Sequence, residues 1–299
     1  MRTIKLWRLL ALLLAFGLVA AACGSDSDDT DTAGSDTEST PTDPDEGGDE
    51  GGLPDLDGRE VTIAVENAYL PFNYLDPETG DPTGWDYAVI DEMCERLNCT
   101  PAYEAFPWEP MIQAVADGQF DMAADGITIN EERAEIVAFS DGYINVDQRL
   151  LVQAGEDRFA DETEFTAGDF IVGTQVGTTN FATAVELVGE DRVQGFEDFG
   201  FVVQAVISGD VDAVIIDETA GQGYVGENAD AVTMIGGSLS SDQLGFIFPL
   251  DSDLVDAINA VLAEMKADGT LETISAEYFG DSFSITYDDL SYPEYEEEG

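Results

Sequence analysis

The 299-residue chain contains no histidine, which excludes histidine-based catalytic triads and histidine-ligated metal sites. Chemistry is left to carboxylates, hydroxyls, backbone amides and a small stock of cations: 10 Lys and Arg against 64 Asp and Glu. Against that background any arginine in a pocket-forming loop is conspicuous, and Arg133 closes one such run, Ile129-Asn130-Glu131-Glu132. Its planar fork suits a carboxylate; as an exposed residue at a helix start it could equally pair with Glu131 or Glu132. Gly177-Thr178-Thr179-Asn180 follows an apolar run and opens a helical one. Free N–H groups at such a start favour an anion, and Thr178 or Thr179 can also cap the helix. Asp217 ends the apolar run Ala213 to Ile216 and precedes Glu218-Thr219-Ala220-Gly221, where it can serve as a helix N-cap.

The elements that must position these groups begin after a different kind of sequence. Met1 to Ala22 carries Arg2, Lys5 and Arg8, then an apolar run from Leu9 broken only by Gly17. That is the layout of a secretory signal over residues 1–22, and its apolar part falls short of the roughly 20 residues a membrane span needs. Ala20-Ala21-Ala22-Cys23 resembles a bacterial lipobox, which would make Cys23 the lipidated N-terminus of the mature chain, although Ala20 stands where Leu is preferred. Loss of Arg2, Lys5 and Arg8 would leave seven of the 10 basic side chains against 64 acidic ones. Nucleic acid and anionic lipid surfaces repel such a protein. From Gly24 to Gly52 the only apolar residue is Ala33, so residues 23–55 read as an extended acidic leash. An acidic tail follows over residues 281–299. Cys94 and Cys99 remain, either as a disulfide in an exported protein or as two buried thiols.

From Leu56 onward, strand-like and helix-like runs alternate. Val61 to Val65 is followed by an amphipathic stretch from Tyr87 to Leu97, with Val89, Ile90, Met93, Cys94 and Leu97 on one side. Pro101 to Phe106, a helix from Pro110 to Asp117 and Phe120 to Ala123 come next. Phe170 to Gly173, a helix from Asn180 to Leu187, Arg192 to Phe196, a helix from Phe199 to Ser208 and Asp212 to Ile216 repeat the scheme. Two terminal helices, Leu254 to Ala267 and Leu271 to Phe279, close it. The alternation predicts α/β layers with mostly parallel strands, and its doubling suits two lobes with a cleft between them.

Between about Arg59 and Gly280 the chain resembles the family 3 extracellular solute-binding proteins, the polar amino-acid receptors of bacterial ATP-driven (ABC) importers. Five stretches carry the resemblance in order: Tyr69-Leu70-Pro71-Phe72-Asn73-Tyr74, Gly84-Trp85-Asp86-Tyr87, Asp117-Gly118-Gln119-Phe120-Asp121, Ile129 to Arg133, and Phe139-Ser140-Asp141-Gly142-Tyr143. The resemblance implies the type II periplasmic-binding-protein fold, two α/β lobes joined by two crossover strands and closing on ligand by a hinge. The crossovers would fall near Gln148–Val152 and Gln243–Phe248. Residues 56–147 and 245–280 would then form lobe 1, and 148–244 lobe 2. It implies no cofactor or metal, a monomer, and a location outside the cytoplasm at the membrane surface, with a permease as partner.

A free α-amino acid presents a carboxylate and an ammonium. By the resemblance, Arg133 pairs with the carboxylate, helped by Thr128, the Gly126 backbone and the helix start at Thr178 and Thr179. Asp217 takes the ammonium. Tyr69, Phe72 and Trp108 wall the pocket, where stacking of a flat or cationic group contributes about 0.5–2 kcal/mol. Two positions depart from the family pattern: Asp125 stands where Ser is usual, and Glu66 sits just after the first strand. An unpaired carboxylate in a closed cleft is costly, so the pair predicts a cationic ligand such as arginine, lysine or ornithine; the alternative is that Asp125 points to solvent. Two other functions remain on the same residues: a sensor acting on a membrane partner, and a dehydratase using Asp125 or Glu66 as general acid.

Overall fold

The structure, a computed structural model, describes residues 52–279. The signal segment, Cys23, most of the acidic leash and the acidic tail lie outside the described residues. Leu53 and Leu56 already pack against the core, so the packed region begins slightly before Leu56.

In chain order the first part comprises β1 (Arg59–Val65), β2 (Ala68–Tyr69), β3 (Asn73–Leu75), β4 (Pro82–Thr83), α1 (Trp85–Leu97), β5 (Cys99–Ala105), α2 (Trp108–Ala116), β6 (Met122–Thr128), α3 (Glu131–Ala134) and β7 (Val137–Phe139). The second comprises β8 (Ile144–Gln153), α4 (Glu162–Ala167), β9 (Val172–Gln175), α5 (Thr179–Val188), β10 (Val193–Phe196), α6 (Phe199–Ser208), β11 (Ala213–Asp217) and α7 (Glu218–Glu227). The chain ends in β12 (Val232–Pro249), α8 (Val255–Asp268) and α9 (Thr270–Phe279).

The main sheet runs β10-β9-β11-β8-β12-β6-β1-β5, with β7 paired to β12. On one flank β5, β1 and β6 are parallel; on the other β10, β9 and β11 are parallel. β1 is buried at Val61, Ile63, Ala64 and Val65, the two-faced burial a parallel strand covered by helices requires. The centre departs from the expected parallel pattern. There β8 and β12 run antiparallel to each other, and their pairing comes in two stretches. Ile144 to Gln148 lies opposite Ser240 to Leu244, and Leu150 to Gln153 opposite Val232 to Ile235. The two strands that pass between the flanks therefore start several residues earlier than the sequence suggested.

Helix α1 buries Val89, Ile90, Met93, Cys94 and Leu97, the predicted stripe. Its entry demands glycine: at Gly84 (φ 133) an added Cβ would stand 2.2 Å from the Phe72 carbonyl oxygen. Its exit turns through left-handed Asn98 and is clamped by the Cys94–Cys99 disulfide. Among the described residues no helix is long and apolar enough to cross a membrane. The largest apolar core runs through both flanks, from Val61, Leu97 and Met265 to Val202, Ile216 and Val232. Tyr69, Leu70 and Phe199 belong to the same core.

Candidate functional site

Several loops at strand ends converge on one cavity of about 300 Å³, part of it open to solvent. Around it stand Glu66, Tyr69, Trp108, Asp125, Gly126, Thr128, Arg133, Thr178, Thr179 and Asp217, ten of the eleven residues singled out for ligand contact.

Arg133 is delivered by α3, a single turn capped by Asn130, whose side chain accepts from the Arg133 amide at 2.9 Å. The side chain turns inward and is 9% exposed. Nη1 donates to the Thr128 carbonyl at 3.0 Å and Nη2 to the Gly177 carbonyl at 3.4 Å. The guanidinium carbon lies 5.2 Å from the Trp108 ring centroid. Among the described residues it forms no ion pair, so pairing with Glu131 or Glu132 does not occur. Burial lowers its pKa to about 10, against the pull of Asp242, Asp217 and Glu132.

Beside it, the α5 N-terminus is capped by Thr178, whose hydroxyl accepts from the Phe181 amide at 3.1 Å. Thr179 Oγ1 lies 3.2 Å from Thr128 Oγ1 and accepts from Gln148 Nε2 at 3.0 Å. The first amides of α5 have no intrahelical acceptor, so cap and cavity wall coincide in one turn.

Asp217 ends β11 at the N-cap position of α7 but makes no side-chain capping bond. Its carboxylate accepts instead from the Tyr69 hydroxyl at 2.5 Å and from Asn180 Nδ2 at 2.9 Å. Burial holds its pKa up at about 6, although both hydrogen bonds pull it down. Tyr69 is fixed between Phe72 (5.2 Å, stacked) and Phe199 (5.4 Å, stacked). Gly126, at φ +56, gives the ring room: a Cβ there would stand 2.5 Å from Tyr69 Cε1.

The two other acidic positions, Glu66 and Asp125, sit together. Glu66 Oε1 accepts from Gln175 Nε2 at 2.7 Å, and burial, then Asp125, raise its pKa to about 9. Asp125 is 3% exposed and accepts from Asn73 Nδ2 at 2.7 Å; burial raises it to about 7. It does not point to solvent.

Phe72 is the exception. It is fully buried behind Tyr69, edge-on to Trp85 and Phe279, and belongs to the core rather than the cavity wall. The reason is local: Leu70 to Phe72 form the turn between β2 and β3, outside any strand alternation, and the Phe72 ring folds under Tyr69 into the core. Three wall residues had not been singled out: Gln175, Asn180 and Phe199. Asn180 was already visible as the last residue of the helix-start motif. Gln175 and Phe199 have no signal beyond lying at a strand end and a helix start. No group of three or more metal-ligating side chains occurs among the described residues.

Comparison with known proteins supplies the context. The model of the bacterial extracellular solute-binding proteins, family 3, matches residues 61–281. The L-cystine-binding protein TcyA of Bacillus subtilis (strain 168) is 28% identical over 226 residues, 75% of this chain and 82% of that protein. Among solved structures, the arginine-, lysine-, histidine-binding protein ArtJ from Geobacillus stearothermophilus superposes with a TM-score of 0.71 at 25% identity, over 78% of this chain and 99% of that one. An ancestral arginine-binding protein bound to arginine gives 0.68 at 29% identity, over 74% and 98%.

Proposed function

The chain belongs to the bacterial extracellular solute-binding proteins, family 3, and on that premise we propose that it captures a free α-amino acid with a cationic side chain. The captured amino acid passes to the permease of an ABC importer. A lipid on Cys23 holds the monomeric receptor at the outer face of the membrane, and residues 23–55 give it reach. Residues 56–147 with 245–280 form one lobe and 148–244 the other, with β8 and β12 as the hinge.

The observation that carries this reading is a buried guanidinium and a buried carboxylate, Arg133 and Asp217, lining one cavity with neutral partners. They suit the carboxylate and the ammonium of one amino acid. The bridge they form explains closure, since only ligand makes the closed state favourable. The remaining charge selects the side chain. Glu66, Asp125 and Asp217 are three carboxyls facing one arginine, and a cationic side chain can ionise and pair with a carboxyl that a neutral side chain leaves protonated. Two of the similar structures are described as arginine binders, which favours the same choice; TcyA, a cystine-binding protein, makes cystine the necessary control.

One observation favours a second reading. Glu66, raised to about 9, is a carboxyl that stays protonated at neutral pH, as a general acid for dehydration must. Calorimetric titration with a panel of amino acids, wild type beside Arg133→Ala, decides between them. Micromolar or tighter binding of arginine, lysine or ornithine that the variant loses supports capture. Absence of binding across the panel, together with turnover of a cyclic acid that Glu66→Gln abolishes, would replace it with catalysis.

A further inference from the structure

Behind the cavity wall lies a carboxyl that ligand contact does not explain. Asp86, in the first turn of α1, is fully buried, and its Oδ2 accepts from Asn73 Nδ2 at 2.9 Å. The same amide nitrogen donates its other hydrogen to Asp125 Oδ1 at 2.7 Å. The orientation of the amide is fixed, because Asn73 Oδ1 accepts from the Asn67 backbone amide at 2.7 Å. One side-chain amide thus joins a cavity carboxyl to a deep one.

Both acids cannot carry charge at low cost. The titratable groups facing them are Glu66, following β1, Tyr69 of β2, Tyr87 of α1, Tyr103 of β5 and Tyr143, just before β8, none of them a cation. Glu66 also turns its backbone amide toward Asp125, which has access to the cavity. Asp86 has neither advantage, and among the described residues its Oδ1 has no hydrogen-bond partner. Two like acids linked in this way titrate as a pair.

We propose that Asp86 is a positioning residue of the cleft: it keeps the proton of the Asp86–Asn73–Asp125 chain and holds the Asn73 amide, so that Asp125 carries the charge presented to a cationic side chain. The proposal rests on the reading that such a ligand binds here. Burial raises Asp86 to about 8 and Asp125 to about 7, the same order of proton retention.

The test reads the full chain by carboxyl ¹³C NMR titration without ligand, then by arginine and glutamine affinity from pH 5 to 8. In the wild type, Asp125 ionises first and Asp86 remains protonated at pH 7. Asp86→Ala removes the acceptor for Asn73: the Asp125 midpoint rises by half a pH unit or more and arginine affinity falls about tenfold at pH 7, with glutamine unaffected. Asp86→Asn, which keeps a neutral acceptor, restores the Asp125 midpoint and the arginine affinity. Ionised Asp86 at pH 7, or an Asp86→Asn variant whose Asp125 midpoint drops by a unit or more, would overturn the proposal. The NMR titration gives that answer even where Asp86→Ala does not fold. If no amino acid binds, the capture reading fails alone, because the order of ionisation is read without ligand.

Discussion

Arg133 and Asp217 line the same cavity and do not pair: the guanidinium rests on the Thr128 and Gly177 carbonyls, and the carboxylate on the Tyr69 hydroxyl and the Asn180 amide. Each charge is held in place by neutral dipoles, leaving its outward side for a partner of opposite sign. Holding an unpaired cation in so buried a position is costly, and a ligand carboxylate offsets that cost.

Arg133→Ala is therefore expected to weaken amino-acid binding by roughly 100-fold or more, the scale for truncating one member of a buried charge pair. Arg133→Lys should recover only part of the loss, because an ammonium cannot present the two-pronged fork. Calorimetry measures both; equal affinity in the alanine variant would remove Arg133 from the site.

Glu66→Gln is expected to lower the preference for arginine over glutamine by about tenfold, because it removes a carboxyl that a bound cationic side chain can ionise and a neutral one cannot. The Gln175 contact can persist in the variant, so the fold is retained. An unchanged ratio of the two dissociation constants would place Glu66 outside side-chain selection.

The stability of the protein without ligand should decline as pH rises. Asp217, Asp125, Asp86 and Glu66 have folded-state values of about 6, 7, 8 and 9 against ordinary values of 3.8 and 4.5. In each case the folded form keeps a proton that the unfolded form has released, so stability is full below about pH 4 and is lost as pH rises through the folded value. Each acid contributes up to about 1.4 kcal/mol per pH unit within its window. Urea midpoints at pH 5 and pH 8 check the sign, and a higher midpoint at pH 8 would mean that these carboxyls are ionised in the fold.

Phe72→Leu separates core from wall. It should cost about 1–2 kcal/mol of stability through lost packing behind Tyr69 while leaving the order of ligand preference intact. A changed preference at unchanged stability would put Phe72 back on the wall.

The Cys94–Cys99 disulfide spans five positions and closes a very small loop, for which chain entropy gives about 2 kcal/mol. Replacing both cysteines with alanine should lower the denaturation midpoint accordingly and leave amino-acid affinity unchanged, since the bond clamps the end of α1 facing away from the cavity residues.

How far the sequence could be read follows from where the information sits. Arg133, Asp217, Gly126 and the Thr178–Thr179 turn lie in short contiguous stretches at strand ends or helix starts, where residue type constrains conformation and chemistry together. The α1 stripe was legible because its period survives thirteen residues. Phe72 was misread because it sits in the turn between β2 and β3, where no period tells which way a side chain faces. The antiparallel centre was hidden for another reason: β8 and β12 are joined by pairings some 80 to 100 residues apart, and local pattern carries no sign of direction. The Asp86–Asn73–Asp125 chain was invisible too, because each residue alone reads as an ordinary helix-start or strand-end polar group.

The path of β12 also governs the order in which the molecule can assemble. Its last residues pair with β6 and β7, and α8 and α9 then pack against α1. The sheet that begins at Arg59 therefore lacks a strand and two covering helices until the final third of the chain arrives. Contacts of such long sequence separation slow folding. Until that final third arrives, α1 lacks the helices that cover one of its faces, and the early part of the sheet cannot reach its final packing.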